Sequence, residues 1–394
     1  MLLLSPLNVV IVWLVASSIS VTGRFSFLKR LIPPFLRGIG RNGKSNTKLG
    51  QSRRQDGAGL TNLANTCYMN SVLQSIFHAA SYRCEILNTT FSEDSIGEKL
   101  NWLFNEMMDS TCVNPRELAR ALDLNVGTQE DAQEFLLRLL HETDDSVLPA
   151  KINDIETTTA STATPAEGAA VAPATNHELP SYAFRGYTEQ TIQCTNVDFS
   201  KTRKQKFLDL TVDIVGFQNL KDALLDMFTR PDLLTGPNQY RAAEPYGLQD
   251  AEKRLRLVSL PSVLCVTLKR FRYDSDLGTL KKIGDPLEFP DALDMSKYAH
   301  VAVPVNEGDG QAQVQAQAQS QSQYLLNSVV VHEGTATFGH YTCYARPDPS
   351  MRPDYWLLFN DHMVSEVSYD QVCKASFGNT RGSSSAYLLF YSKR

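Results

Sequence analysis

Two apolar periodicities occupy different parts of this 394-residue chain. Between Thr66 and Ala80 the side chains of Met69, Val72, Leu73, Ile76 and Phe77 recur at steps of three and four. That spacing gathers them on one face, so an amphipathic helix is predicted there. Thr128 to His141 repeats the pattern with Ala132, Phe135, Leu136, Leu139 and Leu140 and predicts a second helix. Further on, the apolar positions contract into short runs separated by turn residues: FLDLTVDI (207–214), LCVTLKRF (264–271), LLNSVVVH (325–332), HYTCYA (340–345) and AYLLFY (386–391). Rich in β-branched and aromatic residues, they are predicted as strands. Helices first and strands later specify an α+β body rather than alternating βαβ units.

Three stretches fall outside these patterns. Residues 155–176 are rich in Thr, Ala and Pro, and residues 307–323 are dominated by Gln, Ala and Ser. Neither can bury enough apolar area to offset the entropy of ordering, so both are expected to be disordered insertions. Leu2 to Val21 carries no charge. As a helix those residues would rise about 30 Å, enough to span a bilayer core. Arg24, Lys29, Arg30, Arg37 and Arg41 follow the run and none precedes it. A cleaved signal peptide would place basic residues before the run, whereas a following cluster holds the body in the cytosol. Residues 1–23 are therefore expected to be an uncleaved transmembrane anchor and 24–56 a basic flexible tether, with a misassigned start codon as the alternative.

Composition narrows the classes further. A hydrophobic share of 42% with 21% charged residues is that of a globular chain. The net charge is −5, yet the first 56 residues hold nine Lys or Arg against Asp56 alone, so the body is acidic. An acidic body argues against nucleic-acid binding. The seven cysteines are odd in number and include no C-x-x-C pair, which argues against a disulfide framework or a cysteine-based zinc site. Unpaired thiols fit a reducing compartment.

One thiol stands apart. A free cysteine is most often a buried core residue. Cys67, however, follows Asn65 and Thr66, both good N-cap residues, and so belongs in the first turn of the predicted helix. Free N–H groups and the positive dipole end favour a thiolate there. The apolar stripe starts at Met69 and does not need it. A thiolate nucleophile requires a base, and of the seven histidines His340 is the best placed. It opens a strand directly after a glycine-containing loop, in TFGHYTCYA. Twenty residues later, WLLFNDH offers Asn360 or Asp361 to accept a hydrogen bond from the imidazole. An early Cys with His and Asn far downstream is a cysteine-protease arrangement.

At these residues the chain resembles the ubiquitin-specific proteases, the papain-like deubiquitinases. GLTNLANTCYMNSVLQ is similar to the family's Cys box, and GHYTCYA with WLLFNDHMV to its His box. TQEDAQEFL (128–136) resembles the acidic helix motif between them, and LPSVLCVTLKRF (260–271) a palm strand. The likeness covers residues 57–394. Segments 184–194, 246–253 and 287–290 look most like the herpesvirus-associated branch. The resemblance implies a papain-like fold with a helical thumb (about 57–150) and antiparallel palm and fingers (181–394). It implies cleavage of ubiquitin from protein conjugates after its C-terminal glycine, with ubiquitin and ubiquitinated proteins as partners and no cofactor. Such substrates place the body in the cytosol, at the mitochondrial outer membrane or endoplasmic reticulum if the anchor holds.

Carried over residue by residue, Cys67 is the nucleophile, His340 the general base and Asn360 the orienting partner, with Asp361 assisting or substituting. Asn62 would donate to the oxyanion. Asp131 and Glu134 would face the arginine-containing tail of ubiquitin, and Tyr341 its Gly-Gly terminus. Three positions depart from the family pattern. Cys194 is followed by Thr195, Asn196 and Val197, and 246–253 has no cysteine, so metal-free fingers are expected. Ala64 stands where glycine is usual, a mild change if its φ is negative. Phe338 replaces the first glycine before His340. An alternative reading is a catalytically impaired ubiquitin-binding module at a membrane.

Overall fold

The computed structural model describes residues 56–148, 179–275, 278–298, 322–379 and 383–394. The expected anchor, nearly all of the tether and the insertion at 155–176 lie outside the described residues, as does 307–321. Gln323, taken as the end of the Gln-rich insertion, instead opens a strand. Among the described residues no helix is long and apolar enough to cross a membrane.

The first lobe is helical. β1 (Gly59–Leu60) leads into α1 (Cys67–His78), α2 (Ala80–Asn88) and α3 (Ile96–Asp109). β2 (Cys112–Val113) pairs with β1, and α4 (Arg116–Ala121) and α5 (Ala132–Asp145) complete the lobe. The amphipathic expectation for α1 is corrected: all twelve of its residues are buried, the polar ones included. Its polar face meets chain rather than water. Gln74 donates to Ala58 O at 2.6 Å, and Ser75 lies 3.3 Å from the Cys343 sulfur. A buried polar group is tolerated when it is hydrogen-bonded, so periodicity alone could not reveal the second covered face.

Strands dominate the rest. Along the chain come β3 (Gly186–Cys194), β4 (Ser200–Phe207), β5 (Leu210–Val212), α6 (Leu220–Thr229), β6 (Asp232–Leu234), β7 (Tyr240–Arg241), β8 (Leu248–Gln249) and β9 (Ala251–Ser259). Then follow β10 (Val263–Leu268), the hairpin β11 (Phe271–Asp274) and β12 (Thr279–Lys282), and β13 (Ala292–Asp294). β14 (Gln323–Gly334), β15 (Gly339–Ala345), β16 (Trp356–Asn360), β17 (Met363–Val367), α7 (Tyr369–Ser376) and β18 (Ser384–Lys393) close the sequence. The predicted strand at 207–214 is two strands with a bend between them.

The main sheet has the order β17-β16-β15-β14-β18-β10-β5, with β13 also on β14, and a separate four-stranded sheet runs β4-β3-β9-β6. Antiparallel pairing was expected throughout; β5 instead joins β10 in parallel. The chain leaves β5, forms α6, adds β6 and β9 to the four-stranded sheet that β3 and β4 began, and returns beside its starting point, the long crossover a parallel pair requires.

Alternation through the central strands builds two cores. Val263, Cys265, Val330, Leu388 and Phe390 face the helical lobe, while Leu264, Val266, Val329, Leu389 and Tyr391 face α6 and α7. A sheet covered on both faces reads in sequence as continuous apolar runs, which VLCVTL and AYLLFY are.

Candidate active site

α1 begins at Cys67 itself. Thr66 is the N-cap residue, yet its side chain makes no capping bond. The hydroxyl donates instead to Asn62 Oδ1 at 3.2 Å and accepts from Leu63 N at 3.0 Å. Asn62 Oδ1 also accepts from the backbone N–H groups of Ala64 at 3.0 Å and Thr66 at 3.2 Å. That carbonyl is thus fixed, and the amide nitrogen is aimed away from the loop. Ala64 carries φ +151°, so the condition for a mild glycine replacement is not met.

His340 lies at the start of β15, across from α1. Its Nε2–H donates to Asn360 Oδ1 at 2.8 Å, which fixes the tautomer and leaves Nδ1 for the thiol. Cys67 is 4% exposed. Burial alone would raise its pKa. The hydrogen bond to His340, the Tyr341 backbone N–H, the charge of His340 and the Gln129 amide reverse that, holding the thiol below its ordinary value. The Cys67 hydrogen bond in turn raises the imidazole, against burial and with help from Asn360. Both shifts favour a thiolate–imidazolium pair.

Of the two candidate imidazole partners, Asn360 makes the contact. Asp361 turns its carboxylate the other way: Oδ2 accepts from Asn62 Nδ2 at 2.9 Å and Oδ1 from Asn70 Nδ2 at 2.8 Å. Its charge still contributes to raising His340. The tight turn between β16 and β17, with Asp361 at φ +51°, sends these two neighbours to opposite sides. One proton of the Asn62 amide is engaged by Asp361, and an NH₂ group has a second to offer.

Asp131, Glu134 and Tyr341 line one groove with Phe338 and Tyr387. Asp131 is the N-cap of α5: its Oδ1 accepts from Gln133 N at 2.8 Å and Glu134 N at 3.1 Å. Tyr387 also donates to it, 2.7 Å from Oδ2. Glu134 is exposed, and Tyr341 is buried with its ring 4.6 Å from that of His332. Phe338 is 81% exposed at the groove's rim.

Two contacts escaped the sequence reading. Tyr387 reaches Asp131 because β18 bulges: Val330 pairs with Leu388 and Val331 with Ala386, leaving Tyr387 over. A register shift inside a continuous apolar run leaves no trace in the pattern. Gln129 donates to Cys67 Sγ at 3.2 Å and to Gly339 O at 2.8 Å. It sits within the acidic motif, in residues expected to open the second helix, which instead begins at Ala132 after the Asp131 cap and leaves Gln129 in the preceding loop.

A thiol at the head of a buried helix, facing an imidazole and an amide on the opposing sheet, fits the papain-like class of thiol hydrolase folds. The sequence profile described as ubiquitin carboxyl-terminal hydrolase matches residues 58–391. Ubiquitin carboxyl-terminal hydrolase 7 of Caenorhabditis briggsae is 31% identical over 349 residues, covering 84% of this chain and 27% of that protein. Ubiquitin C-terminal hydrolase 12 of Arabidopsis thaliana is 31% identical over 83% of this chain and 27% of its own length. Ubiquitin carboxyl-terminal hydrolase 15 of Saccharomyces cerevisiae is 30% identical over 82% of this chain and 24% of its own. The chain belongs to the ubiquitin carboxyl-terminal hydrolase family. It spans about a quarter of the length of these curated relatives.

Proposed function

We propose that this protein is a cysteine-type deubiquitinase, an isopeptidase that hydrolyses the bond after the C-terminal glycine of ubiquitin on protein conjugates. The observation that carries it is the contact set at Cys67: a depressed thiol against His340, itself held by Asn360, beside a groove with carboxylates. In this reading the Cys67 thiolate attacks the glycine carbonyl carbon and a C–S bond forms. Asn62 donates its second amide proton to the oxyanion, a contact typically worth about 3–4 kcal/mol of barrier. The tetrahedral adduct collapses as the C–N bond breaks, and His340 passes its proton to the departing lysine amine. Water, deprotonated by His340, then cleaves the thioester and restores the thiolate. Asp131 and Glu134 would meet the arginine-containing tail, Asp131 beside the Tyr387 hydroxyl that already donates to its carboxylate, and Tyr341 the Gly-Gly terminus.

The thumb is assigned to about 57–150 and the fingers and palm to 181–394. The segments at 184–194, 246–253 and 287–290 support placement near the herpesvirus-associated branch. The uncharged run 2–21 and its following basic cluster support a membrane anchor with the catalytic body in the cytosol.

The test is hydrolysis of a ubiquitin C-terminal fluorogenic substrate by the full chain, with labelling by a ubiquitin electrophile. Wild type is expected to turn over and to label, and Cys67→Ala to do neither. Ubiquitin binding without turnover, unaltered in Cys67→Ala, would instead mark an impaired binding module, the reading that the positive φ of Ala64 beside Asn62 favours.

A further inference from the structure

Cys67 is almost completely enclosed, and a buried thiolate needs donors to replace water. His340 supplies one, but it must surrender its proton during the cycle. Gln129 supplies another that never leaves. Both donors of its amide are in use, one on Cys67 Sγ at 3.2 Å and the other on Gly339 O at 2.8 Å. The loop that carries it is fastened on the other side to the segment before Cys67. Asn65 N donates to Val126 O at 2.9 Å, and Asn65 Nδ2 to Gly127 O at 2.7 Å. The amide is therefore held from both ends, between the nucleophile and the residue preceding the base.

We propose that Gln129 is a further catalytic residue: its side-chain amide stabilises the Cys67 sulfur as thiolate and ties it to the strand that carries His340. This rests on the deubiquitinase reading for its place in the reaction, though not for its effect on the thiol. The sulfur carries negative charge twice per turnover, before attack and again as the thioester breaks. A neutral donor at fixed distance serves both moments, because it needs no proton of its own to be replaced. The other polar and charged groups around the sulfur are His340 and Tyr341 from β15 and Tyr68 from α1. The Tyr341 backbone N–H is a second neutral donor to the sulfur, and Gln129 is the side-chain donor that keeps its charge through the cycle.

The experiment measures the rate of Cys67 alkylation by iodoacetamide against pH in the full chain, followed by peptide mass spectrometry. Exposed Cys84 and Cys112 are alkylated in the same samples and report the fold and the reagent. For Gln129→Leu the Cys67 midpoint is expected to rise by about one pH unit, leaving about tenfold less thiolate below the wild-type midpoint. Gln129→Glu, which places a carboxylate against the sulfur, should raise it further. The Cys84 and Cys112 midpoints should stay put. An unmoved Cys67 midpoint in both variants overturns the proposal, even if the wild type hydrolyses ubiquitin substrates. A raised midpoint upholds the hold on the thiol, even in a protein that fails to hydrolyse them.

Discussion

Ala64 holds φ at +151°, a conformation that glycine adopts freely and alanine does not. Its N–H is one of the donors that fix Asn62 Oδ1, so the strained residue and the candidate oxyanion donor share one turn. Strain of this kind costs about 1–3 kcal/mol, against about 0.5–1 kcal/mol for the extra freedom of glycine in the unfolded chain. Ala64→Gly should therefore stabilise the protein by about 1 kcal/mol, seen as a rise of about 2–4 °C in thermal midpoint. A lowered midpoint would count against the strain. The Cys67–His340 pair makes its own prediction. His340 is raised to about 9, so the imidazolium persists well above the ordinary histidine range and is lost as pH rises through that value. The thiolate, lowered from 9.0, survives to more acidic pH and is lost as pH falls. A bell-shaped profile of kcat/KM should result, with its alkaline limb near pH 9, both limbs belonging to the pair rather than to either residue. Asn360→Ala, freeing the imidazole to rotate, should cost about 100-fold or more in kcat. A monotonic profile, or an Asn360→Ala variant at wild-type rate, would contradict the arrangement.

Elements are where sequence and structure part most informatively. Cys67, His340 and Asn360 were legible because each has a local signature: a cap before a helix, a strand after a glycine loop, a polar pair ending a strand. Gln129 and Tyr387 were not, since one sits in a loop and the other is re-aimed by a bulge. The same contrast runs through the fold. Strands buried on both faces announce themselves as apolar runs, whereas β4, which reads SKTRKQKF and is largely exposed, has no apolar face to show. Its three lysines and Arg203 occupy an edge of the four-stranded sheet, where charge discourages pairing with a second chain. Helices α6 and α7 were also missed, each being short and covering the sheet's far side. The β16–β17 hairpin depends on a distant glycine. A Cβ on Gly59 would lie 2.3 Å from His362 O, so β1 approaches the turn more closely than any other residue type permits. Gly59→Ala should push the turn away, weakening the 2.8 Å bond from Leu60 N to Asp361 O and the Asn62–Asp361 contact. Thermal stability should fall by about 1–3 kcal/mol, with kcat falling alongside it. Normal activity with normal stability would show that the close approach is unimportant.

At the scale of the whole molecule, charge divides the sequence into an acidic body and a basic N-terminal segment that opens on an uncharged apolar run. If residues 2–21 anchor the chain, the full-length protein should remain with membranes after carbonate washing. Deleting residues 1–23 should release it with its hydrolysis rate intact. Recovery of the full chain in the carbonate supernatant would count against the anchor. Within the body, the sheet joins distant parts of the chain, and β18 sits at its middle rather than its rim, between β14 and β10. During synthesis, then, Cys67 leaves the ribosome long before the strand that completes the sheet carrying His340. The helical lobe that carries Cys67 is made before the sheet opposite it. A chain released before Ser384 would lack the strand between β14 and β10, at the middle of the sheet that carries His340.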